Sequence, residues 1–190
     1  MMNVALIGLG SVGKGVAGIL SKKNLGIKIT GIADSKSGCM DRNGLDIADL
    51  LLKKTKNGYC GDREISASDV VAKADYDALI EVTPTNALTG EPAIGYIKAA
   101  LIRKKHVVTS NKGPIALAYK ELHALAIKKG VALRYEATVA GAIPIMHMLE
   151  HGLAGNEILA LYGVLNGTCN YILTRMADEG LTYEQALLEA

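Results

Sequence analysis

Short apolar runs alternate with longer segments of helical period over most of this chain. Residues 4–8 form a brief run without charge, as expected of a strand covered on both faces. Val12, Val16, Ile19 and Leu20 then recur at three- and four-residue intervals, which predicts a helix over residues 12–23 with that side inward. Residues 27–33 read as a second strand, followed by a polar stretch, 34–43, carrying Ser, Gly and Asp turn signals. Asp46 is placed to cap a helix reaching Lys54, and Ser68 one reaching Lys73. Strands are expected at 78–83, 106–109 and 131–139, with helices at 90–105 and 115–129 between them. Such alternation predicts a parallel sheet wrapped by helices, a Rossmann-type doubly wound α/β fold.

The pattern changes near Val131. The segment AGAIPIMHMLEHGL predicts a helix with Pro144 in its first turn. Residues 158–165 read as a longer strand whose apolar positions, Ile158, Leu159, Leu161, Val164 and Leu165, fall on both faces. A helix over 168–179 stops at Gly180, and Thr182 with Gln185 forms a capping box that opens another. The expected organisation is a dinucleotide-binding domain at 1–131 and an α+β substrate-binding and dimerisation domain begun at 132–190. Ending two turns into a newly capped helix, the chain is expected to be part of a longer one.

Composition narrows the function classes. Apolar residues make up 49% and charged residues 21%, an ordinary globular mixture. Twenty-one basic and 19 acidic residues leave a net charge of +2, without the basic surface a nucleic-acid partner needs. Phe and Trp are absent, so base-stacking platforms are not expected. No apolar run approaches the roughly 18 residues of a membrane span. Three scattered cysteines, Cys39, Cys60 and Cys169, fit a reducing, cytoplasmic setting.

The first chemical constellation is Gly8-Leu9-Gly10-Ser11-Val12-Gly13, between a predicted strand and a predicted helix. Gly8 allows the tight turn, Gly10 lets a pyrophosphate approach the backbone, and Gly13 lets helix and strand pack closely. Asp34, about 20 residues further on at the end of the second strand, stands where a ribose-binding carboxylate belongs. It favours NAD by repelling a 2′-phosphate, although Lys36 could offset that repulsion. Thr83-Pro84-Thr85 and Ser110-Asn111-Lys112-Gly113-Pro114 each follow a predicted parallel strand, at the sheet end where ligands collect. The loop from Tyr135 to Pro144 offers one glutamate and several carbonyls, suited to a hard cation, a substrate or simply a tight turn. Asn166-Gly167-Thr168-Cys169 leads into a helix and could turn its N–H groups toward an anion.

Two features compete with this reading. Cys169, near a helix N-terminus, has the setting of a nucleophilic thiol, but free cysteines more often fill space. His147-Met148-Leu149-Glu150-His151 matches an inverted zinc-peptidase pattern, but no further carboxylate ligand is identifiable, and an exposed helix face accounts for it.

In order along the chain stand GLGSVG, EVTPTN, VVTSNKGPIA, YEATVAGAIPI, GLAGNE, GVLNGTCNYILTRM and LTYEQALLEA. With these motifs the chain resembles the N-terminal part of homoserine dehydrogenases, nearly end to end. The resemblance implies NAD- or NADP-dependent interconversion of L-homoserine and L-aspartate 4-semialdehyde, a step of threonine, methionine and isoleucine biosynthesis, in a homodimer. By the same resemblance Gly8, Gly10, Ser11, Val12 and Gly13 hold the dinucleotide. Thr83 and Lys112 lie near the nicotinamide ribose, with Lys112 also a proton relay. Glu136, Val139, Gly141 and Ile143 match a loop that binds a monovalent cation such as sodium, and Asn166, Gly167 and Thr168 match a segment beside cofactor and substrate. Family members continue into segments that supply a substrate-binding glutamate, an aspartate and a second catalytic lysine, none of them within these residues. The dimer is expected to meet through residues 140–190, where the predicted strand shows apolar positions on two faces. The alternatives are a catalytically silent NAD(P)-binding module and another semialdehyde oxidoreductase, of the aspartate-semialdehyde or dipicolinate type; the aspartate-semialdehyde type would need an essential thiol.

Overall fold

Strand β1 (Met2–Ile7) lies inside a six-stranded sheet of order β3–β2–β1–β4–β5–β6. The computed structural model describes residues 1–164 and 166–190, in two compact units, Met1–Thr138 and Val139–Ala190. In the first unit β2 (Ile27–Ala33), β4 (Ala78–Glu81), β5 (His106–Thr109) and β6 (Leu133–Arg134) join β1 in parallel pairings. Only β3 (Gly38–Met40) runs antiparallel, against β2. It lies within the stretch expected to be only turn, because three residues are too few to show a period. The predicted doubly wound α/β fold is the fold observed.

Helix α1 (Ser11–Lys22) packs on α2 (Ile47–Asn57). Ala17, Ile47 and Leu50 share a buried cluster with Val4, Leu6, Ile29 and Ile32 of the sheet. On α1 the buried residues are Gly13 and Ala17, whereas Val12 and Ile19 are each 53% exposed. Val16 and Leu20 pack against this cluster as expected, whereas Val12 and Ile19 fall outside the buried stripe, which Gly13 and Ala17 complete. Helices α3 (Ala67–Lys73), α4 (Ala93–Ile102) and α5 (Lys112–Lys129) form a second contacting group.

Local chemistry sets the helix starts. Asp46 caps α2 by accepting from Asp49 N, as expected. Helix α3 is capped by Ser66, not Ser68, through a box with Asp69. Helix α5 begins at Lys112, earlier than expected, because Asn111 caps it, and Pro114 falls in the first turn, where a missing N–H costs nothing. The strand expected at 131–139 shortens to β6, followed by a 3₁₀ turn, Glu136–Thr138.

In the second unit Pro144 precedes a short helix, α6 (Ile145–His147), which passes into a π turn, Met148–Gly152. Helix α7 (Gly167–Glu179) is capped by Asn166 and ends at left-handed Gly180, and α8 (Tyr183–Glu189) starts with the expected Thr182–Gln185 box. The strand expected over 158–165 is not formed: residues 157–164 have no regular structure, and Leu165 lies outside the described residues. Among the described residues of this unit none offers residues 157–164 a backbone ladder, and an isolated strand has none of its own.

Candidate functional site

The carboxyl ends of β1, β2, β4 and β5 open onto one pocket of about 730 Å³. It lies where the chain leaves β1 between β2 and β4, the reversal point at which open α/β sheets collect ligands. Gly8, Gly10, Ser11, Val12, Asp34, Thr83, Pro84, Tyr96, Ser110 and Lys112 are among the residues that line it.

The glycine turn has the shape a pyrophosphate requires. Gly8 has φ +101°, and a Cβ there would lie 2.6 Å from Val82 O. A Cβ on Gly13 would lie 1.9 Å from Gly8 O, so that position is closed by backbone. At Gly10 a Cβ would meet nothing within 4 Å; the space beside it is open. Gly10 is also the N-cap of α1, with no side chain bonded to the first-turn N–H groups, which are left for an anion. These residues fit a dinucleotide.

Asp34 stands at the end of β2, but its carboxylate is already engaged. Oδ1 accepts from Lys36 N at 2.7 Å and Ser37 N at 2.9 Å, while Oδ2 is paired with Lys54 of α2. Lys54 also donates to Gly58 O at 2.9 Å, and both members of the pair are largely buried, 7% and 16% exposed. Burial pushes the Asp34 carboxyl up, but the Lys54 ammonium and the Lys36 and Ser37 donors outweigh it and hold it below its ordinary value. The cation at this end of the site is Lys54, not the neighbouring Lys36 considered from sequence; Lys36 contributes its backbone N–H. Sequence offered no signal for Lys54, because its approach to Asp34 depends on how α2 packs.

On the other side of β1, Thr83 follows β4 and Lys112 opens α5. Beneath them Glu81 is fully buried. Its Oε1 accepts from Thr83 N at 2.8 Å and from the Thr83 hydroxyl, and its Oε2 from Thr109 Oγ1 at 2.8 Å. Asn111, 2% exposed, donates from Nδ2 to Thr83 O at 3.2 Å and caps α5 by accepting from Gly113 N at 3.2 Å. Glu81 was given no role from sequence. A lone carboxylate closing the otherwise apolar run ALIE was a usable signal, since unpaired acids are rarely fully buried.

The remaining candidates divide between the units. Glu136 lies in the 3₁₀ turn of the first unit. Val139, Gly141 and Ile143 belong to the second, in a turn where Ala140 and Gly141 have φ of 53° and 61°. Asn166, Gly167 and Thr168 start α7, where Asn166 Oδ1 accepts from Cys169 N at 2.8 Å. Cys169 is exposed, and all three cysteines are free. The His147 and His151 rings stack edge to face, 4.7 Å apart; among the described residues no group of three or more His, Cys, Asp or Glu is placed to hold a metal ion. No helix among them is long and apolar enough to cross a membrane.

A family model described as the NAD-binding domain of homoserine dehydrogenase matches residues 8–136, and one described as homoserine dehydrogenase matches 144–190. The chain belongs to the homoserine dehydrogenase family. The resemblance carried by its motifs is thereby borne out. A homoserine dehydrogenase of Methanocaldococcus jannaschii is 46% identical, over 100% of this chain and 60% of that protein. An NAD(+)-dependent homoserine dehydrogenase of Pseudomonas canavaninivorans is 38% identical, over 98% of this chain and 57% of that one. The crystal structure of a putative homoserine dehydrogenase from Archaeoglobus fulgidus superposes with a TM-score of 0.88 at 42% identity, over 100% of this chain and 59% of that one. A hyperthermophilic archaeal homoserine dehydrogenase mutant in complex with NADPH superposes at 0.85 with 28% identity, over 100% of this chain and 60% of that one. The chain thus spans about 60% of the length of these relatives.

Proposed function

We propose that this chain carries the dinucleotide-binding half of a homoserine dehydrogenase, and that the protein it serves interconverts L-homoserine and L-aspartate 4-semialdehyde with NAD or NADP. What supports this reading is that the glycine turn, the Asp34–Lys54 pair, Thr83 and Lys112 line a single pocket in a chain of this family. Gly8, Gly10, Ser11 and Val12 receive the pyrophosphate, with Gly13 letting α1 pack close behind them and the open first turn of α1 facing its charge. Asp34 and Lys54 take the adenosine ribose, and Thr83 and Lys112 the nicotinamide side. A dinucleotide held by these residues would supply hydride transfer to or from C4 of the substrate. Lys112, exposed at the start of α5, takes up the hydroxyl proton in oxidation and returns it in reduction.

Asn166, Gly167 and Thr168 border cofactor and substrate in this reading. Glu136 with Val139, Gly141 and Ile143 holds a monovalent cation such as sodium. The first unit then serves as the dinucleotide-binding domain, and the residues after it begin a substrate-binding domain through which two copies associate. Free, scattered cysteines support a cytoplasmic setting.

The test has two arms. Titration of the chain with NADPH and NADH should give saturable binding; none with either would end the dinucleotide reading. In the homoserine-oxidising enzyme, Lys112→Ala should lower kcat by roughly 10²–10⁴-fold with the thermal midpoint retained. Near-normal turnover would make Lys112 an ordinary surface lysine.

A further inference from the structure

Glu81 is the one fully buried carboxylate in the core of the first unit, and the proposed chemistry leaves it idle. Its two oxygens accept from the groups around them. The Thr83 N–H and hydroxyl point at Oε1 and the Thr109 hydroxyl at Oε2, the two strands being paired there as Glu81 opposite Thr109. Asn111 Nδ2 reaches the same Oε1 at 3.5 Å. Among the described residues no ion pair reaches this carboxylate. Neutral donors from two strand ends satisfy it instead.

That arrangement fixes proton positions at the pocket wall. With its hydrogen committed to Glu81, the Thr83 hydroxyl has only lone pairs left for other partners. One meets Asn111 Nδ2 at 3.3 Å. Thr83 Oγ1 is therefore an acceptor toward the pocket that Thr83 lines, suited to a ribose hydroxyl or a carboxamide N–H. The Thr109 oxygen, its hydrogen likewise committed, accepts from Asn111 N at 3.0 Å. Asn111 in turn caps the helix that begins with Lys112.

We propose that Glu81 is the positioning residue of the nicotinamide end of the site: its carboxylate gathers Thr83, Thr109 and Asn111, makes Thr83 an acceptor toward ligand and anchors the helix start that carries Lys112. This rests on the dinucleotide reading above. It also separates the two ends of the pocket, because none of these bonds touches Asp34 or Lys54.

The test compares two ligands on the 190-residue chain. NADPH occupies both ends, whereas 2′,5′-ADP has no nicotinamide ribose. Glu81→Gln keeps the size of the side chain but loses its charge and one acceptor. It should weaken NADPH binding roughly tenfold, the scale of one charge-assisted hydrogen bond, and leave 2′,5′-ADP within about twofold. Glu81→Met removes both acceptors and should weaken NADPH further with the same selectivity; if it fails to fold, the glutamine variant decides alone. Equal losses for both ligands would reduce Glu81 to a part of the fold and overturn the proposal, as would unchanged NADPH affinity in Glu81→Gln. A wild-type chain that binds none of NADPH, NADH and 2′,5′-ADP defeats the dinucleotide reading and this proposal with it; one that takes only NADH is compared in the same way with NADH against ADP, and a wild-type chain that binds, with an indifferent variant, defeats this proposal alone.

Discussion

In the first unit the apolar strand residues Val4, Leu6, Ile32, Leu79 and Val107 are each no more than 2% exposed. In the second, Leu159 is 86% exposed, Val164 71% and Tyr162 93%, and Ile158 and Leu161 are about half exposed. Both stretches have the composition of strands. The difference lies in neighbours: β1 has β2 and β4 to bond with and helices to cover it, while residues 157–164 have no ladder among the described residues of their unit. Hydrophobicity alone therefore does not specify a strand; a partner for its backbone does. An exposed apolar run of this kind is the mark of an interaction surface, consistent with the proposed association of two copies.

Substitutions on each side would sharpen or break that contrast. The largest effect is expected at Gly13. In Gly13→Val the added Cβ lands 1.9 Å from Gly8 O, and the first unit should lose roughly 3 kcal/mol or more, read as a fall in its thermal midpoint. Gly10→Val, three residues away, enters open space and should leave the midpoint in place while abolishing NADPH binding. If both variants melt alike, the loop is only structural.

The exposed run supplies the next test. Leu159→Asp together with Tyr162→Asp should convert a dimer to a monomer in light scattering at micromolar concentration, with NADPH affinity of the first unit unchanged. A wild-type chain that is monomeric, or a double variant that still dimerises, would remove this run from any interface.

A smaller shift is expected at the adenosine end. Lys54→Ala leaves the Asp34 charge without its ammonium and should move preference toward NADH by about tenfold, the equivalent of ~1.4 kcal/mol, in competitive titrations with NADPH. An unchanged ratio would mean that this pair does not meet the ribose.

The gentlest effect concerns acid. The Asp34 carboxyl lies below its ordinary 3.8 in the folded protein, so folding favours its ionised form. The stability it contributes is present above about pH 4 and disappears as pH falls through the lower, folded value. Asp34→Asn should flatten that part of the pH–stability curve; an unaltered acid limb would contradict the assigned direction.

Much of the site could be read from the chain because its parts are contiguous. The glycine turn, Asp34, Thr83 and Lys112 each sit just after a strand whose apolar run is unmistakable, and strand ends on one side of a parallel sheet must converge. Lys54 and Glu81 escaped for opposite reasons. Lys54 reaches Asp34 only because α2 packs where it does. Glu81 was in plain view, but one acid at the end of a strand carries no periodic pattern. On α1 the apolar stripe was half legible: Val16 and Leu20 pack on the core, but Gly13 and Ala17, not Val12 and Ile19, are the buried residues. The 158–165 segment misled because its β-forming residues say nothing of whether a neighbouring strand is present.

The two margins of the sheet have a consequence for how copies of this molecule can meet. One margin is β3, three residues long and turned antiparallel, with Gly38 already exchanging both backbone hydrogen bonds with Asp62, at 2.9 and 2.8 Å. The other is β6, two residues long. Neither presents a run of free amides and carbonyls long enough to template a further strand. The sheet is thus closed to growth by lateral addition. Self-association that draws on this unit has to match side chain against side chain.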